Sequence, residues 1–167
     1  HSSPRRQRQM CIRDSSKGAY LIRDYDDRPR QGVVIVRGTS STNSVVSVLD
    51  EISSKFNVKI VSALSWELFD MQSSEYKSSI ISKQEWADSM IISNTGLSVM
   101  KNWISNRVVA EYSLTPDWDN RWRTGGSLEQ IIDEAHLSPR WVMKSLEKFT
   151  NDRKKRLVML RQEIPEN

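Results

Sequence analysis

The sequence has little of the material from which metal and redox sites are built. Among 167 residues there are one cysteine and two histidines. A single cysteine excludes a disulfide framework and a cysteine-rich zinc site, and two histidines leave little for histidine-based catalysis. No run of 18 apolar residues occurs, which excludes a long apolar membrane-spanning segment. What is present, 37% hydrophobic and 28% charged residues, is typical of a globular chain rather than a disordered one.

The first fifteen residues, HSSPRRQRQMCIRDS, differ in composition from the rest. They contain the cysteine, one histidine and four of the 25 basic residues, but one of the 21 acidic residues. A short arginine-rich block is one way to bind nucleic acid. Residues 5–15, however, back-translate into an adapter sequence of transposase-based sequencing libraries. We therefore expect residues 1–15 to be a disordered sequencing-adapter artefact, and we leave them out of the fold prediction.

From residue 16 onward, apolar runs that suit strands alternate with segments of helical periodicity. Strands are predicted at residues 18–22, 32–36, 58–64, 88–94 and 108–112. This alternation predicts an α/β domain over residues 16–162, with three layers and helices on both faces of a mixed, mostly parallel sheet of about five strands. We expect residues 163–167 to form a frayed terminus.

The predicted helices lie between and after these strands. Residues 43–56 have apolar positions three, four and seven apart, the pattern of an amphipathic helix. Shorter helices are predicted within 65–81 and 95–103. Ser127 begins another helix, with Gln130 at the capping-box position, and Ser138–Pro139 begins the last one. The basic tail that follows predicts a helix docked by its apolar stripe, with a solvated basic face.

The segment GTSSTN after the second strand is a candidate anion pocket. Thr39, Ser40, Ser41 and Thr42 place four hydroxyls at the start of a helix, where free N–H groups and the helix dipole favour anions. The chain has no GxGxxG motif and no GxxxxGK motif. A capped helix start that binds nothing is therefore the alternative.

The segment DWDNRWRTGG combines tryptophans with arginines. Trp118, Arg121, Trp122 and Arg123 form a candidate interdomain surface, because tryptophan and arginine are enriched in protein interfaces. Stacking on bases or sugars is the alternative. Outside the first fifteen residues, 21 basic residues face 20 acidic ones. That balance argues against nucleic acid as a partner.

Two further features are weaker. Glu67 and Asp70 are three residues apart and share a helix face, as metal ligands or an acid–base pair would. No histidine accompanies them, and acidic residues in a first turn also suit the helix dipole. His136 follows a predicted helix, where the dipole favours its charged form and a structural role.

Three segments together resemble the carboxyl-terminal domain of transketolases: GAYLIRDYD, GVVIVRGTSSTNSVV and VKIVSALSWELFDMQ. The family has a segment close to CWELFDxQ. It is matched here by Trp66, Glu67, Leu68, Phe69, Asp70 and Gln72, with Ser65 in place of the usual cysteine. A glycine-containing turn at 123–126 and a closing helix after HLSPRW extend the resemblance over residues 16–160.

This resemblance implies the last domain of a three-domain enzyme that moves a two-carbon ketol unit from a ketose phosphate to an aldose phosphate. In the family, thiamine diphosphate and a divalent cation, magnesium or calcium, are held by the amino-terminal and middle domains across a homodimer interface. The resemblance thus places no catalytic, cofactor-binding or metal-binding residue in this chain. We expect a cytoplasmic parent acting on sugar phosphates, a fragment inactive alone that supports domain packing and dimerisation, and neither nucleic acid nor membrane as partner.

Two alternatives stay open. The first is the terminal domain of another thiamine-dependent enzyme, such as the first component of a 2-oxoacid dehydrogenase or deoxyxylulose-phosphate synthase, although SWELFD favours transketolase. The second alternative is a stand-alone regulatory module that binds a phosphorylated ligand at residues 39–42.

Overall fold

The computed structural model describes residues 15–123 and 125–163. Its strands are β1 (Ala19–Arg23), β2 (Val33–Arg37), β3 (Lys59–Ala63) and β4 (Ser89–Ser93). They form one sheet in the order β1-β3-β2-β4. Strand β2 pairs in parallel with β3 and β4, and β1 pairs antiparallel with β3. The predicted mixed, mostly parallel sheet is confirmed.

Helices connect these strands and complete the chain. They are α1 (Thr39–Ser47), α2 (Leu49–Lys55), α3 (Trp66–Asp70), α4 (Ser74–Ile80), α5 (Lys83–Ala87), a 3₁₀ helix (Leu97–Trp103), α6 (Arg107–Tyr112), α7 (Leu128–Glu134), α8 (Pro139–Asn151) and α9 (Arg153–Glu163). None of the helices within the described ranges has the length and apolarity that a membrane crossing requires.

The sheet is buried on both faces. Successive side chains of a strand point to opposite faces, and those of β2 belong to two different clusters. Val34 and Val36 pack with residues of α1, α2 and α8, whereas Val33 and Ile35 pack with residues of α3, α4 and the 3₁₀ helix. Burial on both faces explains the uninterrupted β-branched run of β2 and confirms the three-layer architecture.

The prediction of a fifth strand at residues 108–112 is wrong, because these residues belong to helix α6. Asn106 caps this helix, and its side chain accepts a hydrogen bond from the Val109 backbone N–H at 3.0 Å. Val108, Val109 and Tyr112 are all buried. The paired valines favour a strand by propensity, but the cap and the burial of side chains four apart stabilise a helix.

The sheet edge beside β4 is nevertheless covered. A single parallel bridge joins Ile92 to Leu114, just after α6. The Leu114 N–H donates to the Ile91 carbonyl at 2.7 Å, and the Ser93 N–H donates to the Leu114 carbonyl at 3.0 Å. The described part of the sheet therefore has four strands and a one-residue contact where a fifth was expected.

The helix predicted at 43–56 starts earlier and is divided. Helix α1 begins at Thr39, so the predicted loop is already the first helical turn. Val48 departs from helical geometry with φ −114° and ψ 17°, and α2 restarts at Leu49.

Two predicted helix starts are confirmed. Ser127 and Gln130 form a capping box, with distances of 3.3 Å from the Gln130 N–H to the Ser127 hydroxyl and 2.9 Å for the return bond. Pro139 is the first residue of α8. The predicted artefact at 1–15 and the predicted frayed end at 163–167 lie outside the described residues, except for Ser15 and Glu163, the last residue of α9.

Candidate functional site

The carboxyl edge of the sheet holds an open cavity of about 400 Å³. The parallel strands β2, β3 and β4 all end there, and Arg37, Ser62 and Asn94 line it from these three ends. Such edges are the usual ligand sites of open α/β sheets. The candidate anion pocket therefore lies at a position where a ligand site is expected.

The four hydroxyl residues of that pocket do not act together. Thr39 and Thr42 line the cavity, whereas Ser40 and Ser41 do not. Ser41 is fully buried, and its hydroxyl has no hydrogen-bond partner among the residues that the structure describes. The helical start at Thr39 explains this, because consecutive helical residues point in different directions.

Gly38 shapes the turn between β2 and α1. Its φ of +92° lies in the positive-φ region, which residues with a Cβ atom rarely adopt. A Cβ atom at Gly38 would come within 1.9 Å of the Asn94 amide oxygen. The glycine thus lets the Asn94 side chain lie against the backbone at the cavity.

The SWELFD segment forms the turn from β3 into α3. Ser65 is the N-cap, and its hydroxyl accepts a hydrogen bond from the Leu68 N–H at 3.3 Å. Serine is a better helix cap than most residues, so this departure from the family cysteine suits the local structure.

The two carboxylates of this segment have separate partners. Glu67 accepts a hydrogen bond from the Ser65 hydroxyl at 3.0 Å, and Asp70 forms an ion pair with Lys77 at 3.2 Å. Within the described ranges no three histidine, cysteine, aspartate or glutamate side chains cluster as metal ligands would. The arrangement matches helix capping and a surface ion pair rather than a metal site or an acid–base pair.

Trp118 of the candidate interdomain surface begins a stack of three rings. Its ring lies 4.0 Å from the His136 ring, with an angle of 12° between the planes. The other face of His136 lies 3.7 Å from the Trp141 ring. Burial lowers the pKa of His136, and the nearby Arg123 charge lowers it further. The stack favours a neutral, structural histidine, opposite to the shift that the helix dipole alone predicts.

The two arginines of this surface lie in different environments. Arg123 is largely buried, and its guanidinium donates to Asp119 and to the Pro116 and Glu134 carbonyls. Arg121 keeps 74% of its side chain exposed. Trp122, between them, is 98% exposed. Arg123 therefore anchors the segment, while Arg121 and Trp122 project from it.

We predict that Arg140 controls the acidity of a carboxylate next to this stack. Hydrogen bonds from Arg140 and Ser138 lower the pKa of Asp133 to about 2, from an ordinary 3.8. Because the pKa is lower in the folded state, the resulting stabilisation is full above pH 3.8 and is lost as the pH falls through 2. In an NMR titration, Arg140→Gln should move the Asp133 pKa back towards 3.8. Arg107→Gln is the control, and a pKa unchanged by Arg140→Gln would contradict the prediction.

The sequence of the chain matches a known family over more than half of its length. The family profile of the transketolase-like TK C-terminal domain matches residues 18–121, more than half of the chain. The chain belongs to this family. The match includes the GTSSTN and SWELFD segments, which follow the carboxyl ends of β2 and β3.

Plant transketolases are among the relatives found by sequence. The chain is 38% identical over 72 residues to a chloroplastic transketolase of Craterostigma plantagineum, a match covering 42% of this chain and 14% of that protein. It is 36% identical over 72 residues to chloroplastic transketolase-1 of Arabidopsis thaliana, covering 42% of this chain and 10% of that protein. The match thus spans 10–14% of the length of these two relatives.

Solved transketolases share the fold. The transketolase of Leishmania mexicana superposes with a TM-score of 0.59 at 19% identity, over 84% of this chain and 19% of its own. A transketolase of Pichia stipitis superposes with a TM-score of 0.60 at 20% identity, over 86% of this chain and 19% of its own. The similarity in fold therefore extends beyond the region that the family profile matches.

The predicted anion pocket, residues 39–42, does not include several residues that line the cavity. Arg37, Asn94 and Thr95 are among them. Their common signal is position, since each stands at or just after the end of a predicted parallel strand.

Proposed function

We propose that this chain is the carboxyl-terminal domain of a transketolase, a transferase whose complete polypeptide moves a two-carbon ketol unit between sugar phosphates. The family match over residues 18–121 carries this proposal. The domain itself would be non-catalytic and would support the packing of the amino-terminal and middle domains and the homodimer. A cytoplasmic location stays a prediction. The plant relatives are named as chloroplastic, and that location is a property of those proteins.

The residues that the structure describes do not fit the cofactor of that reaction. Thiamine diphosphate binding through a divalent cation needs convergent oxygen ligands, and the described residues offer no cluster of three. Glu67 and Asp70 are engaged by Ser65 and Lys77. We therefore assign no step of the transfer to this domain and place the cofactor and its magnesium or calcium in the other domains.

Trp122 and Arg121 are the proposed contact with those domains. Trp122 is 98% exposed, and tryptophan and arginine are enriched in protein interfaces relative to the rest of the surface. Trp118, half exposed, and Arg121 extend the patch, and Arg123 holds the segment through its internal hydrogen bonds. Buried tryptophan and arginine side chains carry much of the binding energy of interfaces, which suits a surface that is covered in a complete enzyme.

Calorimetry tests the non-catalytic role. Titration of the 167-residue chain with thiamine diphosphate and magnesium should show no saturable, magnesium-dependent binding at micromolar cofactor. The Pichia stipitis transketolase, titrated in parallel, is the positive control. Magnesium-dependent binding by the chain alone would overturn the assignment.

A domain exchange tests the packing role. The chain would replace the carboxyl-terminal domain of the Pichia stipitis transketolase, and dimerisation and ketol transfer would be measured. Trp122→Ala should weaken the dimer or lower activity, whereas Val158→Ala, at another exposed apolar residue, should change neither. A chimera that is folded but equally affected by both substitutions would contradict the proposed surface.

A further inference from the structure

We propose that the cavity at the carboxyl edge of the sheet binds the phosphate group of a small phosphate monoester, with Arg37 as its principal contact. The proposal goes beyond the packing role, because it assigns a ligand to a part of the domain distant in sequence from the Trp122 surface. The proposed site differs from the four consecutive hydroxyls of residues 39–42, because it combines residues at the ends of three strands.

The cavity lies at a topological switch point. Helix α1 leaves β2 towards the layer that contains Val45 and Ile52. Helix α3 after β3 and the 3₁₀ helix after β4 go to the opposite layer, with Phe69 and Trp103. Where neighbouring connections diverge in this way, the strand ends open into a crevice, and open α/β sheets bind ligands there.

The guanidinium of Arg37 has donors available for an anion. Among the described residues its only side-chain hydrogen bond runs from one terminal nitrogen to the Met100 sulfur at 3.8 Å, and sulfur is a weak acceptor. No carboxylate within the described ranges forms an ion pair with it. The Glu67 pKa is lowered mainly by hydrogen bonds from its own backbone N–H and from the Ser65 hydroxyl, and the Arg37 charge adds a smaller effect.

The other polar side chains of the lining are neutral. Thr39 and Thr42 belong to the first turn of α1, and Asn94 and Thr95 follow β4. Within residues 15–123 and 125–163, no aspartate or glutamate lines the cavity. The N-cap of α1 is a glycine and supplies no side chain to the first-turn N–H groups. A guanidinium, hydroxyls and amides without a carboxylate are the chemistry that recognises phosphate oxygens.

The size of the cavity sets the class of ligand. A volume of about 400 Å³ lies in the range of small-molecule sites and exceeds what one phosphate group fills. The Tyr20 ring and Leu64 contribute apolar surface next to the polar residues. The geometry therefore suits a monoester with a small organic moiety better than free phosphate.

Titrations followed by NMR test this proposal on the full 167-residue chain. The probes are inorganic phosphate, glycerol 3-phosphate and uncharged glycerol, without magnesium. We expect saturable shifts of the amide signals of Thr39 and Thr95 with glycerol 3-phosphate, weaker shifts with phosphate and none with glycerol. Equal shifts with both anions would assign the site to the phosphate group alone and overturn the monoester preference.

Three substitutions, one of them a control, locate the contact. Arg37→Gln should weaken glycerol 3-phosphate binding by at least about tenfold, since a hydrogen bond to a charged group is lost. The matched control Arg107→Gln removes a guanidinium whose side chain is 93% exposed and should leave binding unchanged. Thr42→Val keeps the size of the side chain and all charges, and it should weaken binding less than Arg37→Gln does. It tests the same cavity if Arg37→Gln fails to fold. No saturable binding to the native chain, or equal binding by Arg37→Gln and Thr42→Val, would overturn the proposal.

This outcome is independent of the packing role. Phosphate binding requires neither magnesium nor another domain, whereas the calorimetric test asks for magnesium-dependent thiamine diphosphate binding. Loss of the phosphate effect would leave the family assignment and the Trp122 surface untouched.

Discussion

Replacing Arg156 by alanine is expected to lower the free energy of unfolding by about 3–5 kcal/mol. Arg156 is fully buried in α9. Its guanidinium pairs with Asp88 and donates to the Phe149 carbonyl and the Gln31 carbonyl, each at 3.0 Å. Removal of the arginine leaves the buried side of Asp88 and two carbonyl groups without these donors. Removing one partner of a buried ion pair lowers the free energy of unfolding strongly, because the remaining charge and acceptors stay buried without partners.

The same arginine also packs against an aromatic ring. Its guanidinium carbon lies 3.5 Å from the centre of the Phe149 ring, so the substitution loses a cation–π contact as well. Urea denaturation followed by circular dichroism measures the effect. Arg153→Ala is the matched control, because Arg153 also contacts Asp88, at 3.2 Å, but is 37% exposed. It should lose less than about 1 kcal/mol, and an equal loss in both variants would contradict the role given to Arg156.

Phe69→Ala is expected to destabilise the domain by about 3–5 kcal/mol. Phe69 is 1% exposed, stacks on Trp103 at 5.3 Å and lies 6.2 Å from Trp66. The substitution would leave a cavity beneath α3, between these rings. The turn around it is tight, because a Cβ atom at Gly18 would lie 2.4 Å from the Phe69 nitrogen, so the backbone has little room to collapse into the space.

Leu68→Ala provides the control for this experiment. Leu68 is the preceding residue of the same helix and is 44% exposed, so its truncation should cost less than about 1 kcal/mol. Both variants are compared by the same denaturation measurement. A loss below about 1 kcal/mol for Phe69→Ala would contradict the packing described for the aromatic cluster.

Local patterns were sufficient where the residues of one segment determine the structure. The uninterrupted valine and isoleucine run of β2 predicted a strand buried on both faces, and Ser127 with Gln130 predicted a capping box. Both signals are local, since a β-branched run suits a doubly covered strand and a cap is satisfied within its own turn.

Local patterns failed where distant residues compete. The predicted strand at 108–112 is a helix, because the Asn106 cap and packing against both core layers outweigh strand propensity. The basic tail was expected to face solvent, yet Arg156 is buried against Asp88, 68 residues earlier in the chain. No periodicity along α9 marks one arginine among several as the buried one.

The candidate site divides in the same way. By itself the sequence determined the family resemblance, the position of the GTSSTN segment after a buried strand and the absence of a metal or nucleophile motif. The tertiary structure decided that Arg37, Thr42 and Asn94 share one cavity, while Ser41 and Arg123 turn inward. The physical reason is that the order of residues fixes which groups end each strand, but only the pairing of β2 between β3 and β4 brings those ends together.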